Sequence, residues 1–436
     1  MILGAIILCS SISAFSDTID REALVKRNNP HVVTVDTLAS LTVGNGEFAY
    51  TVDVTGLQTF PELYRNGVPL GTQSQWGWHS FPNPDNLRHE ETLKSYDFGH
   101  GHPELYSTQL KEPERGKSAS DWYRVNPHRL HLGIIGFDGV KKSQISNIDQ
   151  TLDMWSGTVT SDFKVDSHPV KVMTACHPDR DMISAEITSA AHLPVVFRMP
   201  YPTGAHADDA CDWTRDSLHI TEVVRSGSNS ALLRHTLDDT SYYINVSWTG
   251  NVTPEVKGRN EWVLRPSSDT WSFTAEFTPA ESAAGVTVAA DVRKESTRYW
   301  DYFWRSGGVV DFSKCTDPRA AELERRVVLS QYLLATQCAG STPPQETGLT
   351  YNSWFGKFHL EMIWWHQAQF ALYGHENLLA RTLPWYETVM PIAREIARRQ
   401  GFEGVRWMKM TDPSGIEAPS KVGSFLIWQQ PHLIYL

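Results

Sequence analysis

This 436-residue chain is short of several things, and each shortage excludes a class of protein. It has five cysteines, and apart from Cys9 the remaining four, Cys176, Cys211, Cys315 and Cys338, fit no zinc or Cys-x-x-Cys spacing. A metal site is therefore not expected, and at most one or two disulfides. Two histidines stand as His100-x-His102, but no third ligand lies at a useful spacing. Basic residues are outnumbered by acidic ones, 39 to 50, for a net charge of −11. No basic patch is on offer for phosphates, which disfavours a nucleic-acid partner. No apolar run reaches the roughly 18 residues that would span a bilayer. Nothing points to a cofactor.

What is present is 41% hydrophobic and 20% charged, an ordinary globular mixture, and too long for one compact core. The first residues, MILGAIILCSSISAFS, are apolar and then small, without the usual basic start. They read as a signal peptide over 1–16, with Ala14 and Ser16 fitting a cleavage pattern before Asp17, and so as a secreted or periplasmic protein. The competing reading is a buried N-terminal strand. Cys9 after Ile-Ile-Leu is a poor lipid-attachment site.

From Val32 to Asp291 short runs alternate apolar and polar residues, rich in Val, Thr, Tyr and Trp and bounded by Gly, Pro, Asn and Asp. Gly44-Asn45-Gly46 reads as a hairpin turn. With no convincing helix in this stretch, residues 17–290 are expected to form a large β-sandwich. A long polar segment runs from Trp76-Gly77-Trp78-His79 to His102; its aromatics either reach over a cleft or pack the loop itself. Residues 291–316 carry Tyr299, Trp300, Tyr302, Phe303 and Trp304 and are read as a linker helix, broken by Gly307-Gly308.

The pattern from Asp317 onward is helical. Asp317 and Pro318 suit a helix start, and Leu323, Val327, Tyr332 and Leu334 mark one apolar flank. Further helices are expected over about 358–373, around Pro384 and Pro391, and over the run VGSFLIWQQ.

One stretch of this region carries chemistry. Gly348 to His366, GLTYNSWFGKFHLEMIWWH, holds three of the chain's 16 tryptophans and a carboxylate, Glu361, that a helix burying one face would not need. Aromatic faces beside a few polar groups suit the C–H faces and hydroxyls of pyranose rings. Read as helix, it places Glu361, Trp365 and Gln369 on one face, with His359 and His366 on a neighbouring one. A carboxylate among Phe358, Met362, Trp364 and Trp365 is either paired, facing a cleft, or bonded to a loop amide. A second, Gly- and Pro-rich loop adds Arg406, Trp407, Lys409 and Glu417, either at the same cleft or scattered in solvent. Candidate sugar-binding residues are thus Trp354, Phe358, His359, Glu361, Trp365, Arg406, Trp407, Lys409 and Glu417. Gln429, Gln430 and His432 add polar groups at the end of an apolar run.

Taken in order, Gly356 to Met362, Ala380 to Tyr386 and Gly401 to Met408 resemble three motifs of glycoside hydrolase family 65. That family holds maltose, trehalose and kojibiose phosphorylases and secreted hydrolase relatives. Its motifs have the forms G-x-x-F-W-D-x-E, A-R-N-L-L-x-Y-R-Y and G-Y-x-G-A-x-Y-P-W. The resemblance implies a β-sandwich followed by an (α/α)6 toroid, a six-hairpin glycosidase layout. It departs from the pattern where Leu360-Glu361 replaces Trp-Asp and Met408-Lys409 replaces Pro-Trp, which bears on sugar specificity. The family's general acid is a Glu on a later toroid helix. Only 120 residues run from Asp317 to Leu436, against roughly 300 for twelve helices with loops. The expectation is therefore a toroid cut short, 317–436, with the acid beyond Leu436 and Glu361 the best carboxylate in hand. A secreted, inverting glycoside hydrolase is the first functional expectation; a disaccharide phosphorylase and a non-catalytic carbohydrate-binding protein are the others. Polysaccharide lyases place a toroid before the sandwich and lean on basic residues, so they fit less well.

Overall fold

The computed structural model describes residues 19–99, 101–282 and 285–436. The leader reading of residues 1–16 and His100 of the His-x-His pair lie outside them. The β-rich part is built on a nine-stranded antiparallel sheet, whose centre is the run Thr158–Val165, His168–Cys176, Met182–Thr188, Thr270–Thr278 and Thr240–Thr249. A four-stranded sheet, in the order Val252–Gly258, Glu261–Pro266, Val195–Arg198 and Ile134–Phe137, packs on it. The seam is aromatic: Phe197 and Trp262 of the smaller sheet lie 5.7 Å from Phe273 and 6.0 Å from Trp248 of the larger. Along Thr240–Thr249 and Thr270–Thr278 these inward positions alternate with polar ones, which is the pattern the sequence displays.

A three-stranded sheet, Leu41–Gly44, Phe48–Val52 and Thr72–Ser74, is buried throughout. Phe48 stacks on Phe277 of the large sheet at 5.7 Å on one side. On the other side lies the helix Ala320–Gln337, whose Tyr332 hydroxyl donates to the Thr42 carbonyl at 3.2 Å. The turn between the first two strands is closed by Asn45, whose Oδ1 accepts from the backbone of Glu47 and Phe48. That helix turns a different face inward from the one its sequence suggests. Of Leu323, Val327, Tyr332 and Leu334 only Tyr332 is fully buried; the buried face runs Glu324, Val328, Gln331, Tyr332 and Ala335. Glu324 can sit there because Arg27 and Asn28 donate to its carboxylate. The helix starts at Ala320, with the Asp317 side chain accepting from Arg319 N at 2.9 Å.

The aromatic helix Ala289–Ser306 lies along the large sheet with Trp300, Phe303 and Trp304 buried. Trp304 Nε1 donates to the Met154 carbonyl at 2.7 Å, and Trp300 packs 4.5 Å from Tyr332. Tyr302, by contrast, is exposed. The helix Glu114–Val125 falls where no helix is expected. Its inward face is Gly116, Ala119 and Ser120, with Ser120 Oγ donating to Thr108 O, so small and polar residues leave no apolar period to read.

Two further expectations need correction. The segment Phe358–Met362 is not helical: Phe358–His359 is a short strand and Leu360–Met362 a 3-10 turn, and the helix covers only Ile363–Leu372. The run VGSFLIWQQ is a 3-10 turn at Gly423–Phe425 followed by loop. The Pro-containing segment forms Glu376–Ala380 and Leu383–Arg399, with Pro384 in the first turn of the second and Pro391 inside it. Cys176, Cys211, Cys315 and Cys338 are free thiols, three of them buried. Among the described residues no helix is long and apolar enough to cross a membrane.

The contact between the aromatic helix and the large sheet is tight at one glycine. Gly157 has φ +65°, and a Cβ there would lie 2.2 Å from the Trp300 ring. Gly157→Ala is expected to cost about 2 kcal/mol or more, from backbone strain and overpacking together. A thermal melt checks this: an unchanged midpoint would mean the contact is loose.

Candidate functional site

The motif that the sequence singles out is pinned to the β-rich part at each step. Asn352–Ser353 pairs with Ala207–Asp208, and Phe355 N donates to the His206 carbonyl at 3.1 Å. Lys357, fully buried, donates from Nζ to Asn126 O at 2.8 Å; burial lowers its pKa to about 8. Phe358 meets Trp78 edge-on at 5.4 Å and Trp385 at 5.4 Å. Trp76 in turn donates from Nε1 to Asp181 at 2.7 Å. Trp78 and Trp76, at the start of the long polar segment, therefore pack against the motif and the sheet respectively. Trp354 and Phe355 have φ of +49° and +61°, a left-handed conformation that costs on the order of 1–3 kcal/mol at each non-glycine residue. Gly356, at φ +70°, follows them because a Cβ would sit 2.1 Å from that of Arg129. This strained turn carries the half-buried Trp354 indole.

A short antiparallel pair then brings the second loop in. Phe358–His359 pairs with Met410–Thr411, and Leu360 N donates to Lys409 O at 2.9 Å. As a result Lys409 Nζ sits 3.0 Å from Glu361 Oε1 and 4.0 Å from the centre of the Trp354 ring. Two residues that sequence reasoning missed complete the cluster. His206 meets the Trp354 ring edge-on at 4.3 Å, and the Arg124 guanidinium lies 5.7 Å from the same ring. Arg124 sits at the end of the helix Glu114–Val125 and His206 just before the strand Ala207–Asp208, both more than 140 residues upstream of Trp354, and nothing in their local sequence marks them. The pKa of His206 is lowered by partial burial, and then by the nearby Arg124 and Lys409 charges, against a raising influence of Glu346. Arg124 donates to Pro419 O at 2.9 Å, and among the described residues no carboxylate pairs with it.

His359 lies under the indole, 5.8 Å from it between ring centres. Its Nδ1 is 3.1 Å from the Lys357 carbonyl, which can only accept, so the proton is on Nδ1 and Nε2 is an acceptor. That Nε2 is buried and has no protein partner. Burial holds the imidazole neutral, with its pKa lowered to about 3.

Trp354, His359, Glu361 and Lys409 are thus brought together, with Phe358 beneath them as packing. The other candidates lie apart from this cluster. Trp365 is on the helix Ile363–Leu372, 60% exposed, and shares no helical face with Glu361 because Glu361 precedes that helix. Trp407 is buried edge-on against Tyr386 at 5.0 Å. Gln429 and Gln430 hold its backbone, Gln429 Nε2 donating to Trp407 O and Trp407 N donating to Gln430 Oε1. Glu417 is buried against Arg399. Arg406 donates to Ser424 O at 3.0 Å and lies over Phe402, lining a different cleft. His432 packs near Trp364, 5.9 Å between rings.

No family model matches the sequence, and no curated protein matches it. Solved structures do match by fold. One, assigned as a kojibiose phosphorylase from the human microbiome, has a TM-score of 0.55 at 11% identity, over 90% of this chain and 53% of its own. A bacterial glucoamylase complexed with acarbose follows with a TM-score of 0.44 at 9% identity, over 89% and 54%. A GH92 α-mannosidase from Bacteroides thetaiotaomicron has a TM-score of 0.21 at 8% identity, over 48% and 28%. The chain therefore has the fold of about half of the phosphorylase-like structure.

The state of His359 has a pH signature. Unfolded, the imidazole takes up a proton near its ordinary 6.5; folded, it refuses one until about 3. Between those values the unfolded chain binds more protons, so this group's contribution to stability rises with pH and is lost on acidification from 6.5 towards 3. His359→Asn is expected to flatten the acid limb of stability against pH. Taking the difference between the two proteins removes the opposing effect of buried Asp53 and Asp181, whose pKa values burial raises to about 6. Parallel curves for the two proteins would contradict the assignment.

Proposed function

We propose that the chain is a carbohydrate-active protein that handles glycosyl groups at the Trp354 cluster. The observation that carries this is the contact of Lys409 with both Glu361 and the Trp354 ring, with the His359 ring 5.8 Å from the indole and its buried Nε2 unpartnered. An indole gives apolar surface for the C–H bonds of a pyranose. A carboxylate, an ammonium and a neutral imidazole acceptor give donors and acceptors for its hydroxyls. The strained turn at Trp354 and Phe355 supports the same reading, since such strain persists where the surrounding structure holds it for a purpose. The fold likeness to a phosphorylase-like structure agrees with it. The (α/α)6 toroid, and domain limits of 17–290, 291–316 and 317–436, are part of this proposal.

Among activities, hydrolysis is the first. Inverting hydrolysis needs an acid to protonate the leaving oxygen and a base about 6.5–9.5 Å away to activate water. Glu361, engaged by Lys409, is suited to binding hydroxyls; the acid is then a different carboxylate. Export directed by residues 1–16 suits hydrolysis outside the cytoplasm. Phosphorolysis is the second reading, and Arg124 favours it: a guanidinium with no carboxylate ion pair among the described residues, near Lys409 and His206, suits phosphate. A non-catalytic sugar-binding protein is the third.

The experiment is to incubate the protein with a panel of α- and β-linked disaccharides, with and without inorganic phosphate, and to follow free sugar, sugar phosphate and tryptophan fluorescence. Free sugar supports hydrolysis, phosphate-dependent sugar phosphate supports phosphorolysis, and a fluorescence change without turnover supports binding alone. In each case Glu361→Gln is expected to weaken sugar affinity or kcat/KM by on the order of 10- to 100-fold, the worth of a hydrogen bond to a charged group. No effect of that substitution would return Glu361 to a purely structural role.

A further inference from the structure

A second cleft, of about 530 Å3, lies between the hairpin Leu93–Tyr96/Glu104–Ser107 and the loops that carry Phe402, Arg406 and Phe425. Three buried polar atoms on the residues lining it have no protein partner: Glu104 Oε2, Gln400 Oε1 and Arg406 Nε. Each of these residues is more than nine-tenths buried. Around them stand exposed apolar groups, the rings of Phe98 and Phe402 and the side chain of Ile427. The floor is rigid: Tyr106 stacks on Phe425 at 4.9 Å, and Arg406 is tied to Ser424 O while its guanidinium covers Phe402.

We propose that this cleft binds a neutral pyranose ring and is a carbohydrate site separate from the Trp354 cluster. Two unmatched acceptors and one unmatched donor call for a ligand that both gives and takes hydrogen bonds, and hydroxyl groups do both. The lining holds one carboxylate, Glu104, whose Oε1 lies 3.1 Å from His102 Nδ1, and one guanidinium, Arg406, so a charged ligand finds no clear excess of opposite charge and a neutral one needs none. The flanking phenyl rings offer flat apolar surface to the ring's C–H faces, and the volume lies in the range of small-ligand sites. The site stands on its own geometry and does not need the Trp354 cluster to be a sugar site.

The test uses the full chain with maltotetraose, cellotetraose and mannotetraose, and with an oligogalacturonate as charged control. Binding is read by calorimetry and saturation-transfer NMR for the unaltered protein and for Phe402→Ala, Glu104→Gln and Trp354→Ala. Phe402 is half exposed, so its replacement leaves the thermal midpoint unchanged. At least one neutral sugar is expected to bind, about tenfold more weakly to Phe402→Ala and to Glu104→Gln, and with part or all of the signal retained in Trp354→Ala. Binding that survives Phe402→Ala and Glu104→Gln unchanged overturns the proposal and leaves any sugar signal to the Trp354 cluster. Tighter binding of the oligogalacturonate, or no binding of any neutral sugar, overturns it as well. Conversely, binding lost in Phe402→Ala but intact in Trp354→Ala upholds this site while telling against the other.

Discussion

Two residues of strand hold the candidate site together. The pairing of Phe358–His359 with Met410–Thr411 is short, yet without it Lys409 would not stand against Glu361 or over Trp354. Buried charges persist only where they are paired or hydrogen-bonded, so the strand pair and the ion pair sustain each other: the backbone bonds bring the two charges within reach, and each charge makes burial of the other tolerable. Everything around this pairing serves to fix it. Phe358 is clamped between Trp78 and Trp385, Lys357 is tied to Asn126, and Gln429 and Gln430 hold the backbone at Trp407, two residues before Lys409.

The β-rich part is therefore more than a neighbour of the site. It supplies Arg124 and His206 to the Trp354 ring, and it carries the residues that hold the strained turn open. A left-handed Trp-Phe step would relax if the flanking strand Asn352–Ser353 were free; its pairing with Ala207–Asp208 stops that. The cluster is composite, with the indole and carboxylate from one loop, the ammonium from a second and the guanidinium and imidazole from the sheet-rich region.

How much of this could be read in the sequence depends on the range of the interaction. Alternation of apolar and polar residues announced the sheets, because strands buried on one face must alternate. The aromatic helix was legible for the same kind of reason. The mixture of Trp, His and Glu between Gly348 and His366 singled out the stretch whose Trp354, His359 and Glu361 lie together with Lys409, itself among the candidates. The local geometry was misread, because Glu361 and Trp365 sit at helical spacing although the helix begins only at Ile363. Long-range partners were beyond reach: Arg124 lies on a helix whose buried face is Gly116, Ala119 and Ser120, and no periodic signal marks it. Nor could the sequence tell that Arg406 and Trp407, adjacent in the chain, turn to different surroundings, one to a cleft and one to the packing around Tyr386.

The central claim is that Trp354, Glu361, Lys409 and His359 form one glycosyl-binding surface. Its most direct test is a crystal structure of the protein soaked with an oligosaccharide that alters its tryptophan fluorescence. The account predicts a sugar ring in van der Waals contact with the Trp354 indole, with hydroxyls within hydrogen-bond distance of Glu361, Lys409 and His359 Nε2. Sugar density found only elsewhere, with Glu361 and Lys409 bonded to nothing but each other, would contradict it.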